Sequence, residues 1–410
     1  MKRAAVVIAL ALSLVTLPAA APPPPSIDAQ GPAAISTVLR AAVARGDVPG
    51  VVAMVVGPDQ VLYHEAFGKM NVAKGLDMQK DAIFRIASMT KAVTSVGVMM
   101  LVEEKKLGLD DDVATYLPAF KSPQVLSRYD TASGTYETRP ATRPITIRQL
   151  LTHTSGIGYS WSDPGLALVQ KKTGRGSEVD LPLVNEPGAQ WTYGASTKVL
   201  GDVIERISGQ RIDAFLENRI FAPLGMRDTM FTVPPAKYAR VVTQHQKTAG
   251  TIVETPNPET IPTNLRADGG LLSTAPDYAR FLQMLLNRGR LGGVRILGEQ
   301  TVRDATRNQT GTVTVRLQPS ADPARSKPYP LGAGEDVWGF GFQLAAPSKP
   351  NPNMRRPGSM SWAGINNTFF WVDPQKEIGV IVLMQMLPFY DEAAIRLLQG
   401  VEEQIYRHVR

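Results

Sequence analysis

Two valine-rich segments at opposite ends of the chain constrain its fold more than any other feature. Residues 50–56 form an uninterrupted apolar run, the pattern of a buried strand, and Gly57-Pro58-Asp59 closes it with a turn. Residues 61–67 mix apolar and polar side chains as a second strand would. A lone hairpin is marginal in water, so this pair needs further strands. Candidates stand near the other terminus, at 367–372 and 377–384, separated by the turn Asp373-Pro374-Gln375-Lys376. Pairing the two ends predicts one antiparallel sheet. Residues 32–45, with Ile35, Val38, Leu39 and Val43 at helical spacing, and residues 391–408 supply helices beside it.

The long middle reads differently. Helices are predicted from 145–151, from 197–208, where Gly209 ends the pattern, and from 276–288, where Pro276 suits a first turn. Residues 122–144 and 308–334 are rich in Pro, Gly and Thr and read as loops, the expected rim of a substrate site. A chain of 410 residues exceeds the size at which one core usually keeps growing. The expected organisation is therefore a sheet-containing α/β lobe made of 31–106 and 331–410, with a helical lobe of 107–330, an α/β (α+β) fold.

The N-terminus has the features of an export signal. Lys2-Arg3 precedes an apolar run from Ala4 to Val15, and the small-residue stretch around Ala19-Ala20-Ala21 precedes Pro22 to Pro25. The run is shorter than the ~20 residues of a bilayer span. Residues 1–21 are predicted to be a cleaved signal peptide and 22–30 a stiff, extended Pro-rich leader. The mature protein is then expected to be periplasmic or extracellular, without stable membrane insertion. An uncleaved anchor is the alternative reading.

The chain contains no cysteine, which excludes disulfides, thiolate metal sites and a cysteine nucleophile. Its net charge of +7 is scattered, with Lys105-Lys106, Lys171-Lys172 and Arg355-Arg356 as the densest pairs, so no nucleic-acid footprint is expected. No zinc-binding spacing and no phosphate loop appears, and no metal or cofactor is expected.

The chemistry concentrates at Ile83-Phe84-Arg85-Ile86-Ala87-Ser88-Met89-Thr90-Lys91. A short apolar strand runs into Ser88, and a long apolar helical pattern follows. Ser88 is thus expected to open a buried helix, with Lys91 one turn along the same face. Burial and the positive end of the helix would lower the lysine pKa from about 10.4 toward a neutral amine. A neutral amine beside a serine hydroxyl is a general base beside a nucleophile, and the Ser88 N–H is placed to hold an oxyanion. The spacing alone is weak, since about one Ser-x-x-Lys is expected by chance in a chain of this length. The plainer alternative makes Ser88 a helix cap and Lys91 a surface residue. Against it, the spacing occurs once, and Lys91 interrupts an apolar run. Other serine chemistries have less support. There is no Gly-x-Ser-x-Gly elbow, and of the four histidines only His153 lies in a loop suited to catalysis. A structural role for His153 is the favoured reading.

Four motifs occur in order: Ser88-Met89-Thr90-Lys91, Leu150-Leu151-Thr152-His153-Thr154-Ser155-Gly156, Pro187-Gly188 with Trp191-Thr192-Tyr193-Gly194, and Trp362-Ala363-Gly364. With them the chain resembles the penicillin-recognising serine hydrolases: class C β-lactamases, D,D-peptidases and family VIII carboxylesterases. The resemblance spans about residues 30–408. It implies the β-lactamase/D,D-peptidase-like fold, with Ser88 as the acylated nucleophile and Lys91 as its base partner. It also implies that Tyr193, its pKa lowered by the nearby lysine, exchanges protons with the leaving group. Trp362-Ala363-Gly364 matches the strand bearing Lys-Thr-Gly in the lactamases. Ile365 would then give the second oxyanion N–H, and Gly364 would let substrate approach the strand edge.

Departures from the pattern point to the substrate. Trp362-Ala363 replaces a cation and a hydroxyl able to bind a substrate carboxylate, and Ala195 replaces the amide of Tyr-x-Asn. A pocket lacking those groups loses the discrimination they provide and favours an apolar acyl group, as in the carboxylesterase branch. Trp362, Ala363 and Gly364 are candidate substrate contacts. Tyr159 and Trp161 are either further pocket wall or packing of the helical lobe. The expectation is a small-molecule esterase acting on short to medium acyl chains through an acyl-enzyme. Alternatives are a β-lactamase or D,D-peptidase, an acyltransferase, and a non-catalytic penicillin-binding sensor.

Overall fold

The computed structural model describes residues 23–347 and 354–410, so the expected signal peptide lies outside the described residues. Among them, eight strands form one sheet. Starting from one edge, the strands are Val337–Trp338, Gln343–Leu344, Met360–Gly364, Thr368–Asp373, Ile378–Leu383, Gly50–Val56, Val61–Asn71 and Leu76–Asp77. Every pairing is antiparallel. The two chain ends meet in the middle of the sheet, where Val55 stands opposite Val380 and Met54 opposite Ile381. Pairing there places the two most apolar strands at the centre, away from both edges.

All residues of Gly50–Val56, Thr368–Asp373 and Ile378–Leu383 are buried. Side chains alternate across a strand, so both faces of the sheet are covered. Helices Gly31–Ala44 and Glu392–His408 pack on each other, the former also against strands Gly50–Val56 and Val61–Asn71. Helix Ala275–Leu286 lies against Gly50–Val56 and Ile378–Leu383. Gly379 permits that contact, because a Cβ there would stand 3.0 Å from the Cβ of Leu282.

Two expectations about the middle need correction. Helix Ala275–Leu286 packs on the sheet, although it falls within the span expected to form the helical lobe. The expected loop at 122–144 contains a hairpin, Gln124–Asp130 with Thr135–Pro140. Its strands are mostly exposed and polar, so they lack the alternation that marks a strand in sequence. The Pro-rich leader is also docked. Ser26 N and Arg410 O, and Arg410 N and Ser26 O, are hydrogen-bonded at 3.3 and 2.9 Å, and Gln60 donates to the Pro25 carbonyl at 2.8 Å.

Candidate active site

The turn bearing Ser88 is pinned from two sides. Short strand Phe84–Arg85 pairs with Leu272–Ser273, and Ile86 N donates to Leu271 O at 3.1 Å. On the other side, Asn366 Nδ2 donates to Arg85 O at 3.0 Å and Thr368 Oγ1 to Ile86 O at 3.3 Å. Ser88 itself lies in a 3₁₀ turn, Ala87–Met89, that leads into helix Thr90–Glu103. Ala87 has φ of 45°, a left-handed backbone that costs an L residue strain and sets the angle at which the turn enters the helix.

Lys91 is 1% exposed. Its ammonium nitrogen has three acceptors: Ser88 Oγ at 3.1 Å, Tyr159 Oη at 3.1 Å and the Asp268 carbonyl at 2.6 Å. The Asp268 carboxylate lies 3.9 Å away. Burial pushes the Lys91 pKa down to about 8; Asp268 opposes the shift and Arg266 adds to it. A neutral amine carries two N–H groups and one lone pair. Keeping the N–H groups on Tyr159 and the Asp268 carbonyl leaves the lone pair for the Ser88 hydroxyl. The alternative of a surface Lys91 is incompatible with this burial.

Tyr193, 3% exposed, stands just before helix Ser196–Ser208, and its backbone N–H donates to Gln318 at 3.2 Å. The next residue, Gly194, packs against the Ile157 carbonyl, which a Cβ there would meet at 2.0 Å. The Tyr193 phenol shares the cavity wall with Ser88 and accepts the Trp362 indole N–H at 3.0 Å. The expectation of a lowered phenol pKa is reversed. Burial raises it well above the usual tyrosine range, and the neighbouring Ser88 and Trp362 only partly offset that. Tyr193 is therefore a neutral phenol at neutral pH, able to donate a proton.

Ser88, Tyr193, Tyr159, Trp362, Ala363 and Ile365 line one cavity of about 560 Å³. Ser88 and Ile365, whose N–H groups are the oxyanion candidates, thus border the same space. Gly364 does not line it. A Cβ on Gly364 would meet Ile86 O at 2.2 Å and Thr368 Oγ1 at 2.3 Å, so this glycine serves the contact between strand and nucleophile turn, not substrate approach. Tyr159 both lines the cavity and touches Lys91: its hydroxyl accepts from Lys91 at 3.1 Å and donates to Asp268 at 2.5 Å. Trp161 also lines the cavity, stacked on Tyr159 with centroids 5.2 Å apart.

His153 has the structural role expected of it. It is buried among Trp191, Tyr193 and Trp338, with φ of 55°, and its carbonyl accepts Thr192 N at 2.8 Å. Burial holds its pKa well below 6.5, leaving the ring neutral. No hydrogen bond joins it to Ser88 among the described residues.

The beta-lactamase family model matches residues 35–402, nearly the whole described chain. The chain belongs to the beta-lactamase family. Protein Rv1367c of Mycobacterium tuberculosis is 35% identical over 84% of this chain and 87% of its own length. Esterase EstB of Burkholderia gladioli is 28% identical over 93% and 97%. The structure of a simvastatin synthase mutant from Aspergillus terreus superposes with a TM-score of 0.79 at 27% identity, covering 92% of this chain and 95% of that one. The fold is the β-lactamase/D,D-peptidase-like fold, and relatives in the family are named both as esterases and as acyltransferases.

Against this family background, Asp268 and Arg266 are the residues that sequence reading missed. Asp268, 2% exposed, takes a two-pronged contact from Arg266 at 3.0 and 2.9 Å besides the Tyr159 hydroxyl. Burial favours its protonated form, but the charges of Lys91 and Arg266 and its hydrogen bonds outweigh that and hold it below the usual carboxylate range. In sequence, Arg266-Ala267-Asp268-Gly269-Gly270 offers only a two-glycine segment. A carboxylate 177 residues from the lysine it faces leaves no local signal.

Proposed function

We propose that this protein is a serine carboxylesterase for esters of short to medium acyl chains, with Ser88 as nucleophile, Lys91 as general base and Tyr193 as general acid. The observation that carries this reading is the set of contacts at Lys91 Nζ: one on the Ser88 hydroxyl, two on acceptors that hold a neutral amine in place.

The Ser88 Oγ–H proton passes to Lys91 as Oγ forms a bond to the ester carbonyl carbon. The carbonyl oxygen becomes an oxyanion held by the Ser88 and Ile365 N–H groups. Collapse breaks the bond to the alkoxy oxygen, which leaves as the alcohol with the Tyr193 proton. The proton taken up by Lys91 then restores the phenol. Water then attacks the acyl-enzyme, gives its proton to Lys91, and releases the acid as Ser88 recovers its own. The indole of Trp362 and the methyl of Ala363 on the wall support an apolar acyl group, in line with the Esterase EstB relative.

A second reading replaces water by an alcohol acceptor. It is favoured by the monacolin J acid methylbutanoyltransferase of Aspergillus terreus, 28% identical over 91% of this chain. Export completes the proposal: residues 1–21 are removed and the mature protein acts outside the cytoplasm. No helix among the described residues is long and apolar enough to cross a membrane.

The test compares wild type and Ser88→Ala on p-nitrophenyl acetate, butyrate and octanoate and on a chromogenic cephalosporin, with and without added alcohol. Ester hydrolysis that vanishes in the variant is the expected result. Cephalosporin turnover above ester turnover would overturn the substrate assignment, and ester activity in Ser88→Ala would overturn the mechanism. Alkyl ester product exceeding free acid would favour the transfer reading.

A further inference from the structure

The charged groups on the cavity wall form an uneven set. Asp268 is matched by Arg266 at 3.0 and 2.9 Å. Glu178 accepts the N–H and the hydroxyl of Ser160 at 2.8 and 2.9 Å. Arg85 donates to the Val242 carbonyl at 3.1 Å and to Asn257 at 2.9 Å. Arg325 completes the wall, and its guanidinium has no hydrogen-bond acceptor or carboxylate partner among the described residues. It lies 5.4 Å over the ring of Trp161 instead.

The support beneath Arg325 is fixed in advance. Its backbone N–H donates to Asp322 O at 3.0 Å, and its carbonyl accepts Phe389 N at 3.0 Å. The carbonyl of Trp161 accepts Ala321 N at 3.0 Å and Asp322 N at 3.2 Å, which ties the indole to the segment carrying Arg325. Trp161 also stacks with Tyr159 and with Tyr329, at centroid distances of 5.2 and 5.7 Å and interplanar angles of 25° and 22°. The row of rings thus runs from the hydroxyl that touches Lys91 to the indole under Arg325. A guanidinium held over a ring without a hydrogen-bond partner has its N–H groups free, and their fork matches a carboxylate with two parallel hydrogen bonds.

We propose that Arg325, seated on Trp161, is a specificity residue for esters that carry a carboxylate remote from the scissile bond. This rests on the esterase reading of Ser88 and names the substrate class more closely: half esters of dicarboxylic acids, or esters of hydroxy acids. Trp362 leaves the wall beside Ser88 without a cation there; Arg325 supplies one beyond Tyr159 and Trp161, so a substrate reaching from Ser88 to Arg325 needs an apolar spacer. The apolar stretch of the substrate lies along Trp161 and Trp362 while the carboxylate reaches Arg325.

The test pairs neutral and anionic substrates built on the same ester framework. Phenyl butyrate is compared with 3-carboxyphenyl butyrate for the alcohol side, and ethyl hexanoate with monoethyl adipate for the acyl side. Each is assayed with wild type, Arg325→Gln, Arg325→Lys and Ser88→Ala. For at least one pair, the ratio of kcat/KM for the anionic over the neutral ester is expected to exceed 1 in wild type. In Arg325→Gln it is expected to fall about tenfold, chiefly through KM, as loss of one charge-assisted pair would give. Arg325→Lys, which keeps the charge and loses the fork, should recover part of it. Added salt should lower the wild-type ratio and leave that of Arg325→Gln flat. Ratios within twofold of one another in wild type and Arg325→Gln for both pairs overturn this inference while Ser88-dependent turnover leaves the esterase reading standing. Absence of Ser88-dependent turnover of every ester overturns both.

Discussion

Trp362 Nε1 donates a hydrogen bond to the Tyr193 hydroxyl at 3.0 Å, across 169 residues of sequence. The sheet strand Met360–Gly364 thereby reaches over to the segment before helix Ser196–Ser208 and fixes the phenol beside Ser88. In the proposed mechanism the indole is more than a piece of pocket wall: its N–H stabilises the phenolate formed when Tyr193 gives up its proton.

Trp362→Phe keeps a ring on the wall and removes only that donor. One hydrogen bond is worth about 1–1.5 kcal/mol, so kcat/KM for p-nitrophenyl butyrate should fall about tenfold. The fall should appear in kcat, since the phenolate exists only along the reaction path. A loss confined to KM would show Trp362 to be wall alone.

The pH dependence follows from Lys91. Its pKa is lowered by burial to about 8, and the base acts only when neutral. The rate therefore rises as pH climbs through about 8 and levels off above it. Asp268 raises that pKa and Arg266 lowers it. In Asp268→Asn the opposing charge is gone, so the inflection in a kcat/KM profile should move toward lower pH. Circular dichroism of the variant checks that it folds. An unchanged inflection in folded Asp268→Asn would detach the carboxylate from the lysine.

Gly364→Ala tests how closely the strand must approach the nucleophile turn. A Cβ would meet Ile86 O at 2.2 Å and Thr368 Oγ1 at 2.3 Å. Relief requires backbone movement at the turn bearing Ser88, at a cost of about 1–3 kcal/mol. Thermal unfolding should shift down, and activity should drop further than stability, because the displaced turn carries the nucleophile. A variant with wild-type melting and turnover would mean the turn yields freely.

The parts legible in sequence were those governed by local patterning. The valine run at Gly50–Val56 and the runs at Thr368–Asp373 and Ile378–Leu383 are legible as strands because burial on both faces leaves few polar positions inside them. Ser88 and Lys91 were visible because a lysine inside an apolar helix is out of place. What stayed hidden was decided by tertiary contact. The Asp268 carboxylate, the Tyr159 hydroxyl between it and Lys91, and the indole on Tyr193 come together from loops and strands far apart in the chain. The direction of the Tyr193 shift is hidden for the same reason: the enclosing rings of His153, Trp191, Trp362 and Tyr329 desolvate the phenol, which a nearby lysine alone does not reveal.

The most direct measurement of the central claim is the site of acylation. Wild type is mixed with excess p-nitrophenyl butyrate, quenched in acid within the first turnover, digested and mapped by tandem mass spectrometry. The account predicts one butyryl group on the peptide containing Ser88, localised to that serine, and none in Ser88→Ala. A butyryl group on any other residue during turnover, or steady ester hydrolysis in Ser88→Ala, would contradict it.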